Sequence, residues 1–472
     1  MQGPFARLGR RALLRSRARI DRFKLASRKH VRERLMDDEV IAEAVRMHAA
    51  EVGTPQHEAW MRVDSYIREI VPFFNVVAYY QIGYRAAGWL LRLFYKTSVD
   101  FEDVRARARL PRDAVILYVM NHRSNADYIL VSYALAGQVA ISYAVGEWAR
   151  AFPLELVFKA FGSYFIRRRF REPLYHAVLE RYVQLITREG VTQGIFVEGG
   201  LTRDGKLRAP KVGLLDYVLG IGRDPEYAAR LHIVPVAVNY DRVLEDRSLL
   251  RELDAKSGGR PPARLNQAYE VMHYVGWNLI RLASRRWKRY GRAAVVVGAP
   301  IPLAPWYAAH ADLFALERPE RLGEVQKLCD DLLAQVGQLI PVTPVPLVCA
   351  AIQSFDSEFI LRSDLIARIH EMRCVLDEIN ARVLTSEPGA EEIFLRAWRM
   401  LSMRRVIAEA GSGYLVLPRG RPLISYYANS VAHLLGPFVE AVRARDALPA
   451  MSVTSTVTIG TSVGHSAKRV DQ

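Results

Sequence analysis

The chain has 472 residues, half of them apolar and a quarter charged, so it exceeds one small domain and has room for roughly two to four units. That composition is globular and excludes wholesale disorder, collagen and a transporter with many membrane spans. Sixty-six Lys and Arg against 50 Asp and Glu leave a formal net charge of +16, which favours an anionic partner: nucleic acid, an acidic bilayer surface or a phosphorylated substrate.

Residues 1–40 form a basic segment. Over 1–36, twelve Lys or Arg stand against two acids, Asp21 and Glu33, with Phe5, Leu8, Leu13, Leu14, Ile20, Phe23 and Leu25 threaded among them. This reads either as an amphipathic helix on an anionic membrane surface or as a disordered basic tail, and organelle transit peptides share its Arg-rich, acid-poor look. No uninterrupted apolar region sits between the arginines, so no secretory signal is predicted. Cys329, Cys349 and Cys374 are scattered, which argues against a disulfide framework or a zinc site and for a reducing, cytosol-facing compartment. Residues 41–100 read as a helical, membrane-interfacial segment. The stretch 67–96 is aromatic and aliphatic but interrupted by Pro72, Asn75, Gln81, Arg85 and Arg92, which suits an interfacial helix with snorkelling arginines. A buried core helix is the alternative; no run of eighteen apolar residues supports a spanning one.

Residues 101–305 alternate β-rich runs with helical patterns. Buried strands are predicted at 114–120, 162–166, 194–199, 232–240 and 293–301, with amphipathic helices such as 172–189 and 262–290 between them. The expected fold class is α/β, a mainly parallel sheet flanked by helices, with an N-terminal helical segment and a C-terminal helical unit. That unit covers 306–450, with helical periodicity at 317–338, 355–384 and 390–410; the Ser/Thr-rich stretch 451–472 is predicted to be disordered.

The strand at 114–120 runs into NHRSNADY, where His122 and Asp127 lie five residues apart. Five residues of regular helix turn through about 500°, leaving two side chains roughly 140° apart. The pair can therefore meet only if His122 lies in the turn before the helix. Without chemistry, Ser124 as N-cap with Asp127 three residues on is simply a capping-box-like helix start. Arg167, Arg168 and Arg169 follow a buried strand, a costly place for three cations unless an anion or acidic neighbours meet them. FVEGGLTRDGK ends another strand with Glu198, the Gly199-Gly200 pair and Arg203, so backbone amides can approach a ligand while a guanidinium grips a phosphate. IVPVAVNYD places Pro235 inside a strand, which by itself suggests an edge.

Together, in this order, these segments resemble the glycerolipid acyltransferases, and within them the bacterial glycerol-3-phosphate 1-acyltransferases and the related dihydroxyacetone-phosphate enzymes. The four blocks are NHRSNAD (121–127), GSYFIRR (162–168), FVEGGLTR (196–203) and IVPVAVNY (233–240); GAPI at 298–301, PVTPVPLVCAAI at 341–352 and ISYYANSVAHLL at 424–435 are similar as well. The resemblance covers about 60–440. Asn125 and Ala126 stand where the family usually carries His and Met, which touches acceptor preference more than catalysis, and Thr202 replaces a usual Ser. The chain is also shorter on its N-terminal side than full-length bacterial members. The resemblance implies the glycerolipid acyltransferase fold and transfer of a fatty acyl group from acyl-CoA or acyl carrier protein to glycerol 3-phosphate. His122 would be the base and Asp127 its support, with Arg167, Arg168, Glu198, Gly199 and Arg203 binding substrate. It implies direct attack in a ternary complex, with no acyl-enzyme, cofactor or metal; the basic N-terminal segment and the aromatic stretch 67–96 lead to the expectation of a peripheral protein on the cytoplasmic face of the cell membrane.

The nearest rival is lysophosphatidate acyltransferase, whose third block usually reads Phe-Pro-Glu-Gly-Thr; here it reads Phe196-Val197-Glu198-Gly199-Gly200. Dihydroxyacetone phosphate is a second alternative acceptor. A nucleic-acid-binding protein is prompted by the net charge and by SRRWKRYGR at 284–292, yet no RNP, KH, zinc-finger or helix-turn-helix pattern accompanies it, and no nucleic-acid partner is expected.

Overall fold

Every residue of the strand Val115–Met120 is buried. Val115, Leu117 and Val119 enter one apolar cluster while Ile116, Tyr118 and Met120 enter another. With side chains alternating across the pleat, this pattern requires a sheet covered on both faces. The computed structural model describes residues 28–73, 84–135, 141–146, 154–168, 170–256, 289–384 and 389–447.

In chain order the main elements are α1 (Arg28–Met36), α2 (Glu39–Val52), α3 (Gln56–Ile70), α4 (Tyr84–Phe94), β1 (Lys96–Phe101), β2 (Val115–Met120), α5 (Asp127–Leu135), β3 (Ser142–Val145), β4 (Tyr164–Phe165), α6 (Pro173–Arg188), β5 (Gln193–Phe196), β6 (Leu231–Tyr240), α7 (Asp246–Lys256), β7 (Arg292–Val297) and β8 (Ile301–Pro302). There follow α8 (Arg318–Leu339), α9 (Pro344–Gln353), β9 (Phe359–Leu361), α10 (Arg362–Glu378), α11 (Ala390–Met403), β10 (Ile407–Ala410), β11 (Gly413–Val416), α12 (Arg421–Asn429) and α13 (Ala432–Ala447).

The large sheet runs β1-β7-β6-β2-β5-β3-β4, with β8 also against β6. Its pairings are parallel except those of β6 with β7 and with β8. Pro235 does not mark an edge: β6 is central and all ten of its residues are buried. The Pro235 carbonyl accepts Gly298 N–H at 2.8 Å, opposite the turn where β7 gives way to β8. Nitrogen and carbonyl of one strand residue point the same way, so the missing N–H faces this break in the ladder.

Helices α1, α2, α3, α6 and α8 cover one face; α4, α5 and the C-terminal helices from α9 onward cover the other. Residues 344–352 of α9 are all buried. A helix apolar on every side belongs in the middle of a core, and α9 lies between the sheet and α10, α11 and α12, in one cluster with Met120 and Phe196.

The predicted elements shift in several places. The 162–166 strand shortens to β4, and 293–301 splits into β7 and β8 around Gly298. A second sheet, β10-β11-β9, is antiparallel and lies inside the region read as mainly helical. Among the described residues the 67–96 stretch holds the end of α3 and the whole of α4: α3 stops at Ile70 because Val71, ahead of Pro72, is held extended at φ −74°, ψ 120°. The end of the basic N-terminal segment is helix α1, anchored by buried Val31 and Leu35, so the tail reading fails there. Residues 1–27, the 74–83 stretch, most of the 262–290 helix and the 451–472 tail lie outside the described residues.

Candidate active site

The first block is fixed from its backbone outward. Asn121 extends the ladder past β2 with its side chain: its amide donates to Val238 O at 3.0 Å and its carbonyl oxygen accepts Val238 N–H at 2.8 Å. His122 follows at the strand's end, in the turn before α5, its N–H bonded to Glu198 Oε1 at 2.8 Å and its carbonyl accepting Thr202 N–H at 3.3 Å. The imidazole stacks on Phe196 with centroids 4.0 Å apart and meets the edge of Tyr128.

His122 Nδ1 lies 3.0 Å from Asp127 Oδ2. The same oxygen accepts the N–H groups of Arg123 and Ser124 at 2.7 and 3.0 Å, while Oδ1 accepts the Tyr240 hydroxyl at 2.5 Å. Asp127 thus caps the start of α5 and orients the imidazole at once. A carboxylate only accepts, so Nδ1 carries the proton and Nε2 keeps its lone pair. Burial lowers the His122 pKa below its usual 6.5; the bond to Asp127 opposes this, and the charges of Arg168 and Arg208 add to it. The ring is therefore a neutral base at pH 7.

Glu198 and Gly199 are structural in this arrangement. Glu198 is 1 % exposed, and its second oxygen accepts Arg208 N–H at 2.8 Å, so both oxygens are engaged and join the third block to the first. Burial raises its pKa to about 7. Gly199 turns the chain at φ +64°, where a Cβ would lie 2.8 Å from the Lys211 side chain. At Gly200 a Cβ would lie 3.2 Å from Nη1 of both Arg168 and Arg208. The bare backbone lets the two guanidiniums converge. Arg168 is exposed and, among the described residues, makes no hydrogen bond or ion pair; Arg208 reaches only the Leu201 carbonyl, at 3.3 Å. Two cations beside a buried neutral base can hold an anionic group next to a proton acceptor.

Residues 103–239 match the family model described as acyltransferase, and residues 276–439 match the glycerol-3-phosphate acyltransferase C-terminal region. The chain thus carries an acyltransferase domain followed by a glycerol-3-phosphate acyltransferase C-terminal region. Similar relatives include the glycerol-3-phosphate acyltransferases of Aeromonas hydrophila (28% identical, covering 87% of this chain and 50% of that one) and Baumannia cicadellinicola (25%, 91% and 52%). That of Xylella fastidiosa strain M23 is 26% identical over 87% of this chain and 47% of its own. The chain spans about half the length of the curated relatives it matches. Among solved structures, the 1-acyl-sn-glycerophosphate (LPA) acyltransferase of Thermotoga maritima aligns with 54% of this chain and 77% of its own, at 17% identity and a TM-score of 0.28.

Within this site the three sequence-predicted arginines part company. Arg167 forks onto Glu69 of α3, at 2.8 and 2.5 Å, above the rings of Phe170, Tyr66 and Tyr175. Those rings belong to the cluster on the N-terminal helices' face, whereas His122 stacks on Phe196 in the opposite one. Arg167 is a packing residue on the far face, and the expectation that it binds substrate is corrected. Arg167→Ala is expected to cost about 1–3 kcal/mol, since it removes the ion pair with Glu69 and the guanidinium's packing on the rings, and to leave the acceptor KM unchanged; denaturant unfolding alongside initial rates checks this. Arg203 pairs with Glu252 of α7 at 2.9 Å, partly exposed. Arg169 lies outside the described residues.

Sequence reasoning missed Arg208, Tyr240, Arg123 and Glu245. Tyr240 closes the fourth block and was there to be read; Arg208, five residues past Arg203, had no pattern to announce it. Arg123 is buried with a guanidinium N–H on the Gly205 carbonyl. A separate cavity of about 440 Å³, lined among others by His30, Arg34, Arg181, Arg188 and Tyr227, lies by the C-terminal end of α6, at the other end of the sheet from His122. There Arg181 already holds Asp38 at 2.7 Å and His30 faces Glu189 at 3.7 Å. Among the described residues no cluster of His, Cys, Asp and Glu could hold a metal ion.

Proposed function

We propose that the protein transfers a fatty acyl group from an acyl thioester, acyl-CoA or acyl carrier protein, to the sn-1 hydroxyl of glycerol 3-phosphate, giving 1-acylglycerol 3-phosphate. The observation that carries this is the His122–Asp127 pair, with Nε2 left as a base, beside the Arg168 and Arg208 guanidiniums that converge over Gly200. The arginines hold the acceptor phosphate while Nε2 takes the hydroxyl proton. The alkoxide oxygen attacks the thioester carbonyl, the tetrahedral intermediate collapses, and the expelled thiolate takes the proton back from the imidazolium, which Asp127 supports meanwhile. The names of the relatives favour glycerol 3-phosphate as acceptor. The test is to incubate purified protein with palmitoyl-CoA or palmitoyl-acyl carrier protein and, in parallel, glycerol 3-phosphate, dihydroxyacetone phosphate and lysophosphatidate, identifying products by mass. Product from lysophosphatidate alone would overturn this reading.

The reading includes peripheral association with an anionic membrane. Among the described residues no helix is long and apolar enough to cross a bilayer. Helix α4 exposes Trp89 between Arg85 and Arg92, and the helix Leu154–Ala160 exposes Leu156 and Val157. Aromatic and aliphatic tips flanked by cations suit the interface. Because α1 is folded into the core, truncation must stop at residue 27, which removes eight basic residues worth about 1 kcal/mol each near an anionic surface. The truncated protein is expected to bind anionic vesicles more weakly, with a flatter salt dependence; identical co-sedimentation of both forms at low salt would remove the N-terminus from the account.

A further inference from the structure

The turn that carries His122 is also held from outside the four blocks. Glu245, just ahead of α7, accepts the Ser124 hydroxyl on Oε2 at 2.7 Å and the Asn125 N–H on Oε1 at 3.1 Å. Ser124 and Asn125 lie between His122 and Asp127, so this carboxylate clamps the link that sets the distance between base and support. Glu245 is in turn fixed by its neighbours. Asp246 opens α7 fully buried, with its carboxylate forked on the Arg404 guanidinium (Nη2 to Oδ1, 2.9 Å; Nη1 to Oδ2) and bonded to the Tyr427 hydroxyl at 2.5 Å. Tyr427 also accepts Val243 N–H at 3.1 Å. Arg404 directly follows α11, and Tyr427 lies on α12.

We propose that the C-terminal region positions the catalytic turn: Arg404 and Tyr427 hold the 243–246 segment, and Glu245 passes that hold to Ser124 and Asn125. A buried ion pair adds little net stability over a well-packed apolar pair but fixes one geometry, because every alternative leaves a buried charge unpaired. A base displaced by even an ångström loses much of its effect. Arg404, Tyr427, Asp246 and Glu245 are therefore positioning residues, which touch no substrate.

The inference rests on the proposed acyl transfer, and its test separates the two. In the full-length protein, Glu245→Ala is expected to lower kcat about 10- to 100-fold, with both KM values within about threefold. Glu245→Gln is expected to recover most of it, since its amide oxygen can accept Asn125 N–H and its NH2 can donate to the Ser124 hydroxyl. A role resting on negative charge would leave both variants equally impaired and would overturn the positioning role. Tyr427→Phe, the mild variant, and Arg404→Lys should lower kcat too, and combining either with Glu245→Ala should cost little more than Glu245→Ala alone. Additive losses would overturn the link. Hydrogen exchange by mass spectrometry over 121–128, without substrate, should be faster in Glu245→Ala and Tyr427→Phe and near wild type in Glu245→Gln. Unchanged exchange in both of the former would overturn the proposal even if the substrate reading stands, and accelerated exchange would sustain the placement even if glycerol 3-phosphate proves not to be the acceptor.

Discussion

Replacing His122 by alanine is expected to reduce acyl transfer by ~10²- to 10⁴-fold, the range a positioned general base contributes. The thioester is already activated and the acceptor alcohol is a weak nucleophile, so the base carries much of the chemical step. The fold should survive, because the backbone bonds of residue 122 to Glu198 and Thr202 need no imidazole. Asp127→Asn should be severely slowed as well, losing the charge that selects the Nδ1–H tautomer and supports the imidazolium. The pH dependence distinguishes the two roles. Burial, opposed by Asp127, places the His122 pKa below 6.5, so wild-type kcat/KM should rise with pH through an acid limb centred below 6.5 and be flat at neutrality. Without the Asp127 charge the imidazolium is less favourable still, so the limb should move further to acid while the plateau falls. A wild-type limb centred above 6.5 would contradict the environment assigned to this ring, and near wild-type turnover of His122→Ala would remove it from the mechanism.

Arg168→Ala and Arg208→Ala are each expected to raise the KM for glycerol 3-phosphate about 10- to 100-fold, with the KM for the acyl donor little changed. A hydrogen bond to a charged group contributes ~1.5–3 kcal/mol, and each 1.4 kcal/mol is tenfold in affinity. Loss of binding shared by ground and transition states appears in KM first. The double variant should lose more than either single one, because the guanidiniums approach the same point over Gly200 from two segments. Arg203→Ala, which gives up a partly exposed pair with Glu252, should change it less. Initial rates with each substrate varied in turn decide the matter. Equal effects on both KM values would place the arginines on the donor or in the fold.

Much of this was legible in the chain. Strand-forming runs bounded by glycine, proline and polar clusters located β2, β5 and β6 to within a few residues, because pleat alternation and burial are written locally. The angle between two side chains five residues apart on a helix already required His122 to lie ahead of α5, where it is found. The four blocks at strand ends marked the site, since the C-terminal ends of parallel strands are where the chain can turn and present side chains.

What the sequence could not supply is which side each residue faces and what meets it there. Arg167 and Arg168 are consecutive, yet one forks onto Glu69 among aromatic rings and the other converges with Arg208 over Gly200, because the strand's alternation no longer constrains them past β4. Glu198 has the look of a ligand-binding acid, but its oxygens are taken by the N–H groups of His122 and Arg208. Glu245 sits about 120 residues from the turn it holds. By itself the sequence located β2, β5 and β6 and required His122 to lie ahead of α5, because pleat alternation and helix geometry are local, while the roles given to His122 and Asp127 came from the resemblance of the four blocks. The cation pair, the Glu198 tie and the clamp from the C-terminal region were decided by tertiary structure alone, since a hydrogen bond or ion pair between distant segments depends on distance and desolvation in the folded core and leaves no period in the chain.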